Sequence, residues 1–518
     1  MKKISININL LFSLLAIVAL SSCTDLELIA DDSIISPDTG EGFSGVADPA
    51  ASLGNIYGQF NGIYGGQENV YALAEVTSDE YLVPTRGTDW GDNGIWRQLH
   101  LHSWDPTHKF ILDTWNSFNQ MSFNCNEVID ARSNSTAQQV AEAKFVRAYA
   151  MWVILDNFGK VPFRDVDEGP EISPRVLSNT EALDFILADL EAAIPDLPSV
   201  GPNGATNKAN KAAAYFLKAR VLLNAGIYRG GTSPEAGDMP GVIAAVDAIT
   251  AQGYSLQDGY FELFDGTANN ERIFYCDAGV GSRMWKGLHY SQGHPQNAGG
   301  GWNGFTTLAS FYDLFEGNPN SNYVGDGQEE RRGWVPDAST ANSDNNGFGY
   351  GFLIGQQYNA SGSPLIARKN APLVFTRELP GLIGNSDVTG IRVLKYSPAN
   401  DPANGAYYSG LLLFRYSDAY LMKAEAMMRS GNDVTGMVNI LRSLRGAAEL
   451  GSVSESEMLE ERGRELYDEH VRRTDLIRFN KFSATWEFKD NTDDTRRLFP
   501  IPTNAILSNP NLEQNPGY

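Results

Sequence analysis

From about residue 50 the apolar positions recur at helical spacing, and the segments they define come in pairs. Ala141 to Asp156 (AEAKFVRAYAMWVILD) and Leu183 to Ile194 are amphipathic, and Lys211 to Ala225 (KAAAYFLKARVLLNA) places Ala214, Leu217 and Val221 on one stripe. Near the C-terminus Ser417 to Arg429 (SDAYLMKAEAMMR), Val434 to Arg445 and Glu455 to His470 repeat the same length and style. Alanine at the contacts lets neighbouring helices approach closely, and helix-turn-helix units about 34 residues apart are what tetratricopeptide-like solenoids use. The pattern predicts a mainly α protein built as a tetratricopeptide-like scaffold of helical pairs.

Between roughly 255 and 410 the helical period disappears, and glycine, asparagine and aromatic residues dominate (HYSQGHPQNAGGGWNGF, DNNGFGYGF). Short alternating runs such as Ile391 to Tyr396 predict small strands. So many rings are poorly suited to disorder, so this stretch is expected to be an irregular, loop-rich insertion that carries function. The predicted layout is a leader at 1–22, a tether at 23–50, and a first scaffold part at 51–254 with a binding loop near 81–104. The insertion at 255–410 and a C-terminal scaffold part at 411–518 complete it.

The N-terminus has its own pattern. Met1-Lys2-Lys3 is followed by the apolar run Leu10 to Leu20, then Ser21, Ser22 and Cys23, the layout of an export signal. The run is shorter than the roughly 20 residues needed to span a bilayer. Leu20-Ser21-Ser22-Cys23 resembles the bacterial lipobox, which implies a lipidated Cys23 and attachment to a membrane through acyl chains only. The acidic, turn-rich Thr24 to Glu41 reads as a tether and is similar to the surface-export signal of Bacteroidetes lipoproteins.

Composition narrows the function. Hydrophobic residues at 42% and charged residues at 20% of 518 positions are those of a folded globular chain. With 63 acidic against 40 basic residues the formal charge is −23, which repels a phosphate backbone and argues against nucleic acid as a partner. Three scattered cysteines make neither a disulfide framework nor a thiolate cluster.

No G-x-S-x-G, HExxH, Walker A or paired CxxC motif occurs. His100 and His102 could share one face of a strand but lack a third ligand, so they read as structural. Asp79 and Glu80 are adjacent and point apart in most backbones, whereas a glycosidase needs its carboxylates about 5–10 Å apart across one bond. Asn318 to Asn322 with Asp326 lacks EF-hand spacing and reads as a solvated turn. No catalytic residue, metal or cofactor is therefore expected. A different inventory stands out in one glycine-containing loop, TRGTDWGDNGIW, which holds Arg86, Asp89, Trp90, Asp92, Asn93 and Trp96, all but Asp92 taken as candidate contacts. A sugar presents an apolar C–H face and a rim of hydroxyls, which suits an aromatic platform flanked by Asp, Asn and Arg hydrogen-bonding groups. Trp285, Tyr290 and Trp302 of the insertion could complete that platform.

The C-terminal half carries a family pattern. Leu412 to Ala426 (LLFRYSDAYLMKAEA), Glu461 to Leu466 (ERGREL) running on to Arg473 to Phe479 (RTDLIRF), Asp156 to Phe163 (DNFGKVPF), and Pro500-Ile501-Pro502 with Asn509 to Tyr518 (NPNLEQNPGY) appear in family order. They resemble the motifs of SusD/RagB-family outer-membrane lipoproteins of Bacteroidetes. By themselves these residues read as scaffold, with Arg464 and Asp468 expected to pair at i,i+4, Ala424 and Ala426 closing a helix contact, and Pro162 following a glycine turn that ends a helix. One departure is Asp468 to Arg472 (DEHVR), where the family commonly has F-E-G-x-R. The resemblance implies a non-catalytic, surface-exposed glycan binder that captures oligosaccharide and hands it to a SusC-like TonB-dependent outer-membrane transporter. A relative that binds peptide or another nutrient is the runner-up, and a glycoside hydrolase the third reading. No ligand-contacting motif carries over, so the site residues rest on the sugar-binding argument.

Overall fold

A computed structural model of the chain describes residues 42–294, 297–398 and 409–518. Cys23, the leader pattern and the acidic stretch as far as Glu41 lie outside the described residues.

The helical pairs form where the apolar period predicts them, and local chemistry sets their ends. Helix Ala137–Phe158 begins with a capping box in which Thr136 and Gln139 satisfy each other's backbone, and it stops at Gly159, whose φ of 66° only glycine adopts cheaply. It is buried almost all round, because Lys109–Ile129 packs on one side and Asn179–Ala193 on another. Asn179–Ala193 opens on a second capping box, Ser178 with Glu181. Lys211–Leu223 is capped by the Asn210 side chain, and its buried Ala212, Ala213, Ala214 and Ala219 permit close approach. Met239–Thr250 packs between that helix and Tyr416–Arg429, which ties the C-terminal helices to the earlier ones. From Gly45 to Tyr518 the chain is one compact unit.

The irregular stretch is rooted in the scaffold by a two-stranded stem. Arg272–Gly279 pairs antiparallel with Ser409–Arg415, with Leu411 opposite Cys276 and Phe414 opposite Phe274, and it rests against helix Pro49–Tyr64. Between these strands lie a three-stranded sheet, with Tyr350–Leu353 flanked by Gly333–Trp334 and Arg392–Leu394, and the short strand Thr306–Thr307. Thr306–Thr307 pairs with Tyr81–Leu82 and brings the loop at 85–94 beside the insertion.

Two expectations need correcting. The helix read as Glu455 to His470 ends at Leu466, because Asp468 and His470 adopt left-handed φ values of 62° and 64°. Arg464 and Asp468 therefore do not pair. Arg464 meets Glu461 at 2.9 Å, while Asp468 is buried and meets Lys286 at 2.5 Å. His100 closes the short helix Ile95–His100 rather than lying on a strand. His100 and His102 are both buried, with Nε2 against the carbonyls of Glu487 and Thr77.

The family-like motifs turn out to encode a buried ion-pair lattice. Arg415 meets Glu465 at 2.8 Å and Glu469 at 2.7 Å, and Arg445 meets Glu465 at 3.0 Å. Arg331 joins Glu461 at 2.7 Å, and Arg462 bridges Asp418 at 2.9 Å and Asp475 at 2.7 Å. Arg478 holds Glu425 at 2.8 Å. Burial alone would raise the Glu465 carboxyl, yet Arg445, Arg415 and Arg331 hold it well below the usual carboxylate range. Ala424 and Ala426 are fully buried within the same helix, as a close contact requires.

Candidate functional site

The loop read as a binding loop is a tight reversal. Arg86 and Asp89 exchange backbone hydrogen bonds of 3.0 and 2.9 Å around Gly87-Thr88, with Gly87 at a φ of 60°. The chain beyond it is strained, since Trp90, Asp92 and Asn93 have φ values of 59°, 35° and 52°. Three non-glycine residues in left-handed backbone within four positions is rare, and such strain clusters at sites where a side chain must be aimed.

Trp90 is held in a definite pose. Its indole Nε1 donates to the Trp302 carbonyl at 2.8 Å, and its ring meets Trp96 and Phe305 edge-on with centroids 5.8 and 6.0 Å away. Gly304 lies so close that a Cβ there would come within 2.4 Å of the indole. Trp302 is held through its backbone N–H, which donates to the Trp285 carbonyl at 2.8 Å, while its side chain is 40% exposed.

Polar groups converge beside the rings. Asp89 Oδ2 accepts from the Tyr290 hydroxyl at 2.8 Å and from an Arg368 guanidinium nitrogen at 2.7 Å. The Arg368 guanidinium also lies over the Tyr290 ring, 4.1 Å from its centroid. The Tyr290 hydrogen bond, opposed by partial burial and reinforced by Arg368, keeps the Asp89 carboxyl below its ordinary range. Burial and then Asp89 push the Tyr290 hydroxyl up to about 12. Together Asp89, Trp90, Asp92, Tyr290, Asn297 and Trp302 line an open depression of about 630 Å³ with a glycine wall at 299–301.

The structure thus brings Trp90, Asp89, Tyr290 and Trp302 together and places the other expected residues elsewhere. Arg86 is 3% exposed, and its Nη1 donates to the Ser386 and Thr389 carbonyls at 3.0 and 2.7 Å, so it is a strut beneath the loop. Burial pushes Arg86 down to about 9. Trp96 is buried under Trp90 and donates to Asp92 Oδ2 at 2.9 Å. Trp285 is buried, and only its backbone carbonyl serves the site. Asn93 is exposed next to the depression without lining it. Sequence reasoning missed Arg368 and Asn297, and it noticed Asp92 in the loop without selecting it.

The arrangement suits binding better than acid–base chemistry. A general acid at neutral pH needs a carboxyl whose pKa is raised, and Asp89 is shifted the other way. Asp79 pairs with Arg472 at 2.7 Å, and Glu80 is buried, accepting from the Asp468 backbone at 2.5 Å. Asp326 accepts from Ser321 and from the Tyr323 backbone, each at 2.7 Å, within a turn. Among the described residues no group of three His, Cys, Asp or Glu is placed to hold a metal. A larger groove of about 910 Å³ runs beside Lys109–Ile129; its Trp115 and Phe163 are 5% and 9% exposed, and its Phe123 is half-buried.

The fold is a helical scaffold that carries an open depression built from loops. The SusD family model matches residues 270–518, and the model described as "Starch-binding associating with outer membrane" matches residues 95–209. The chain is 27% identical to the starch-binding protein SusD of Bacteroides thetaiotaomicron, with 99% of each chain covered. Among solved structures it resembles a SusD-like protein from Bacteroides fragilis, with a TM-score of 0.69 and 20% identity over 91% of this chain and 97% of the other. It also resembles surface glycan-binding protein A from Bacteroides uniformis, with a TM-score of 0.68 and 17% identity over 90% and 98%. The two family models and the full-length relative mark the chain as SusD-like, with residues 270–518 matching the SusD family model.

Proposed function

We propose that the depression around Trp90 and Trp302 captures a glycan chain at the cell surface without cleaving it. The observation that carries this reading is the convergence of two indoles, a tyrosine and Asp89 in one open depression, with Arg368 paired to Asp89 at its rim. Rings stack on sugar C–H faces, and the charged pair supplies acceptors and donors to hydroxyls. The starch- and glycan-binding names of the relatives support the same class of ligand. In this reading Cys23 is lipidated and anchors the protein to the outer membrane, and the captured chain passes to a SusC-like TonB-dependent transporter. The test is calorimetric titration of the mature protein with a glycan panel alongside a reducing-end assay. Binding without release of reducing ends is expected; hydrolysis, or affinity only for peptides, would contradict it.

A further inference from the structure

We infer that the depression takes uncharged sugar chains and that Asp89 is the residue that keeps acidic chains out. This rests on the glycan reading above and names the class of chain within it.

Local charge sets this preference. Among the described residues lining the depression, Asp89 and Asp92 are the ones ionisable near neutral pH, and Arg368, just outside the lining, reaches Asp89. Lys369, next along the chain, is exposed and lines none of the depression. The lining thus presents two carboxylates, one of them paired with Arg368 at the rim, while the Arg86 guanidinium is 3% exposed and turned to the Ser386 and Thr389 carbonyls beneath, so the exposed wall carries an excess of negative charge.

The Arg368 charge is also committed. One guanidinium nitrogen is 2.7 Å from Asp89 Oδ2, and the plane is stacked on Tyr290 at 4.1 Å. Its backbone N–H donates to Asp387 Oδ2 at 2.9 Å, and the same oxygen is 3.1 Å from His289 Nε2. The residue is therefore tied at both its backbone and its charged end. An incoming uronate or sulfate would have to share that guanidinium with Asp89, beside one like charge, and approach Asp92 as a second. At contact distance in water each like-charge approach weakens binding about fivefold, and more where the ligand shields the pair from solvent. A neutral sugar meets no such obstacle. Its hydroxyls can donate to Asp89 and Asp92 and accept from the guanidinium N–H groups that Asp89 leaves free, because arginine has five. Arg368 covers one face of Tyr290, so Trp302 and Trp90 are left to stack.

The experiment is titration at low ionic strength of the wild-type protein, Asp89→Asn and Arg368→Ala. The probes are neutral gluco-, manno- and galacto-oligosaccharides set against oligogalacturonate and oligoalginate of equal length. The wild type should bind at least one neutral chain and bind the oligouronates at least tenfold more weakly. Asp89→Asn releases Arg368, and oligouronate affinity should rise about five- to tenfold; Arg368→Ala should show no such rise. Oligouronate binding by the wild type as tight as neutral binding overturns this inference and leaves the glycan reading standing. No gain in Asp89→Asn, with its melting temperature unchanged, overturns the role given to Asp89. If Asp89→Asn does not fold, a rise in oligouronate affinity in Arg368→Ala overturns the charge argument, and its absence supports it. Binding of neither class overturns the glycan reading itself.

Discussion

Arg415 with Glu465 and Arg368 with Asp89 are the same chemical pair at almost the same distance, 2.8 and 2.7 Å, yet they do opposite work. The first pair is wholly buried, its carboxylate shared with Arg445 and Arg331, while the second is 56% and 31% exposed at the rim of the depression. A buried pair cannot be exchanged with a ligand, and breaking it strands charge in the interior. An exposed pair contributes little to stability and can be remade with a hydroxyl. Solvent access, rather than residue type, separates scaffold from site in this molecule.

That contrast should be broken most visibly at Glu465. Glu465→Ala leaves Arg415, Arg445 and Arg331 without a shared counter-charge, and the expected loss is about 3–5 kcal/mol of stability in chemical or thermal denaturation. The fraction that remains folded should still bind glycan. Trp90→Ala should do the reverse: an affinity loss of about 1–3 kcal/mol, with the melting temperature shifted by only a few degrees. Arg86→Ala sharpens the comparison, because Arg86 lies in the same loop yet is buried. Losing its bonds to the Ser386 and Thr389 carbonyls should cost about 1–3 kcal/mol of stability, read by denaturation. Its effect on affinity should follow only from loosening the loop.

A smaller effect belongs to the buried acids around Asp468. Burial, with Asp468 nearby, raises Glu75 from 4.5 to about 7, and Glu80 is raised as well. For an acid whose folded pKa is the higher one, the folded state holds more protons between the two values, so stability falls as pH rises. From Glu75 the stabilisation is complete below about 4.5, is lost as pH climbs to about 7, and changes no further above that. Its contribution to the slope cannot exceed about 1.4 kcal/mol per pH unit. Glu75→Gln should therefore flatten the decline of stability across that window, as measured by denaturation midpoints at a series of pH values.

The helices were legible because their stripes and caps are local. Thr136 with Gln139, Ser178 with Glu181, and Gly159 are all visible within a few residues of the ends they set. The early end at Leu466 was not, because Asp468 is drawn out of the helix by Lys286 and by Glu80, neither of them near it in sequence. The site divides in the same way. Trp90, Asp89, Tyr290 and Trp302, which do meet in the depression, are selected on chemistry alone, as rings beside polar groups in glycine-rich loops. Chemistry alone could not tell them from Arg86, Trp96 and Trp285, which differ in burial and not in type. Arg368 was invisible because it reaches Asp89 across 279 positions.

The central claim is that the open depression, and not the motif-bearing lattice, reads the ligand. Titration of one neutral glycan into the wild type, Trp302→Ala and Arg442→Ala tests it most directly. Trp302 is the exposed ring of the depression, and Arg442 is a lattice member 2.7 Å from Glu461. The account predicts that Trp302→Ala loses at least fivefold in affinity with an unchanged melting temperature, while folded Arg442→Ala binds like the wild type but melts lower. Wild-type affinity in Trp302→Ala, together with lost binding in folded Arg442→Ala, would contradict it.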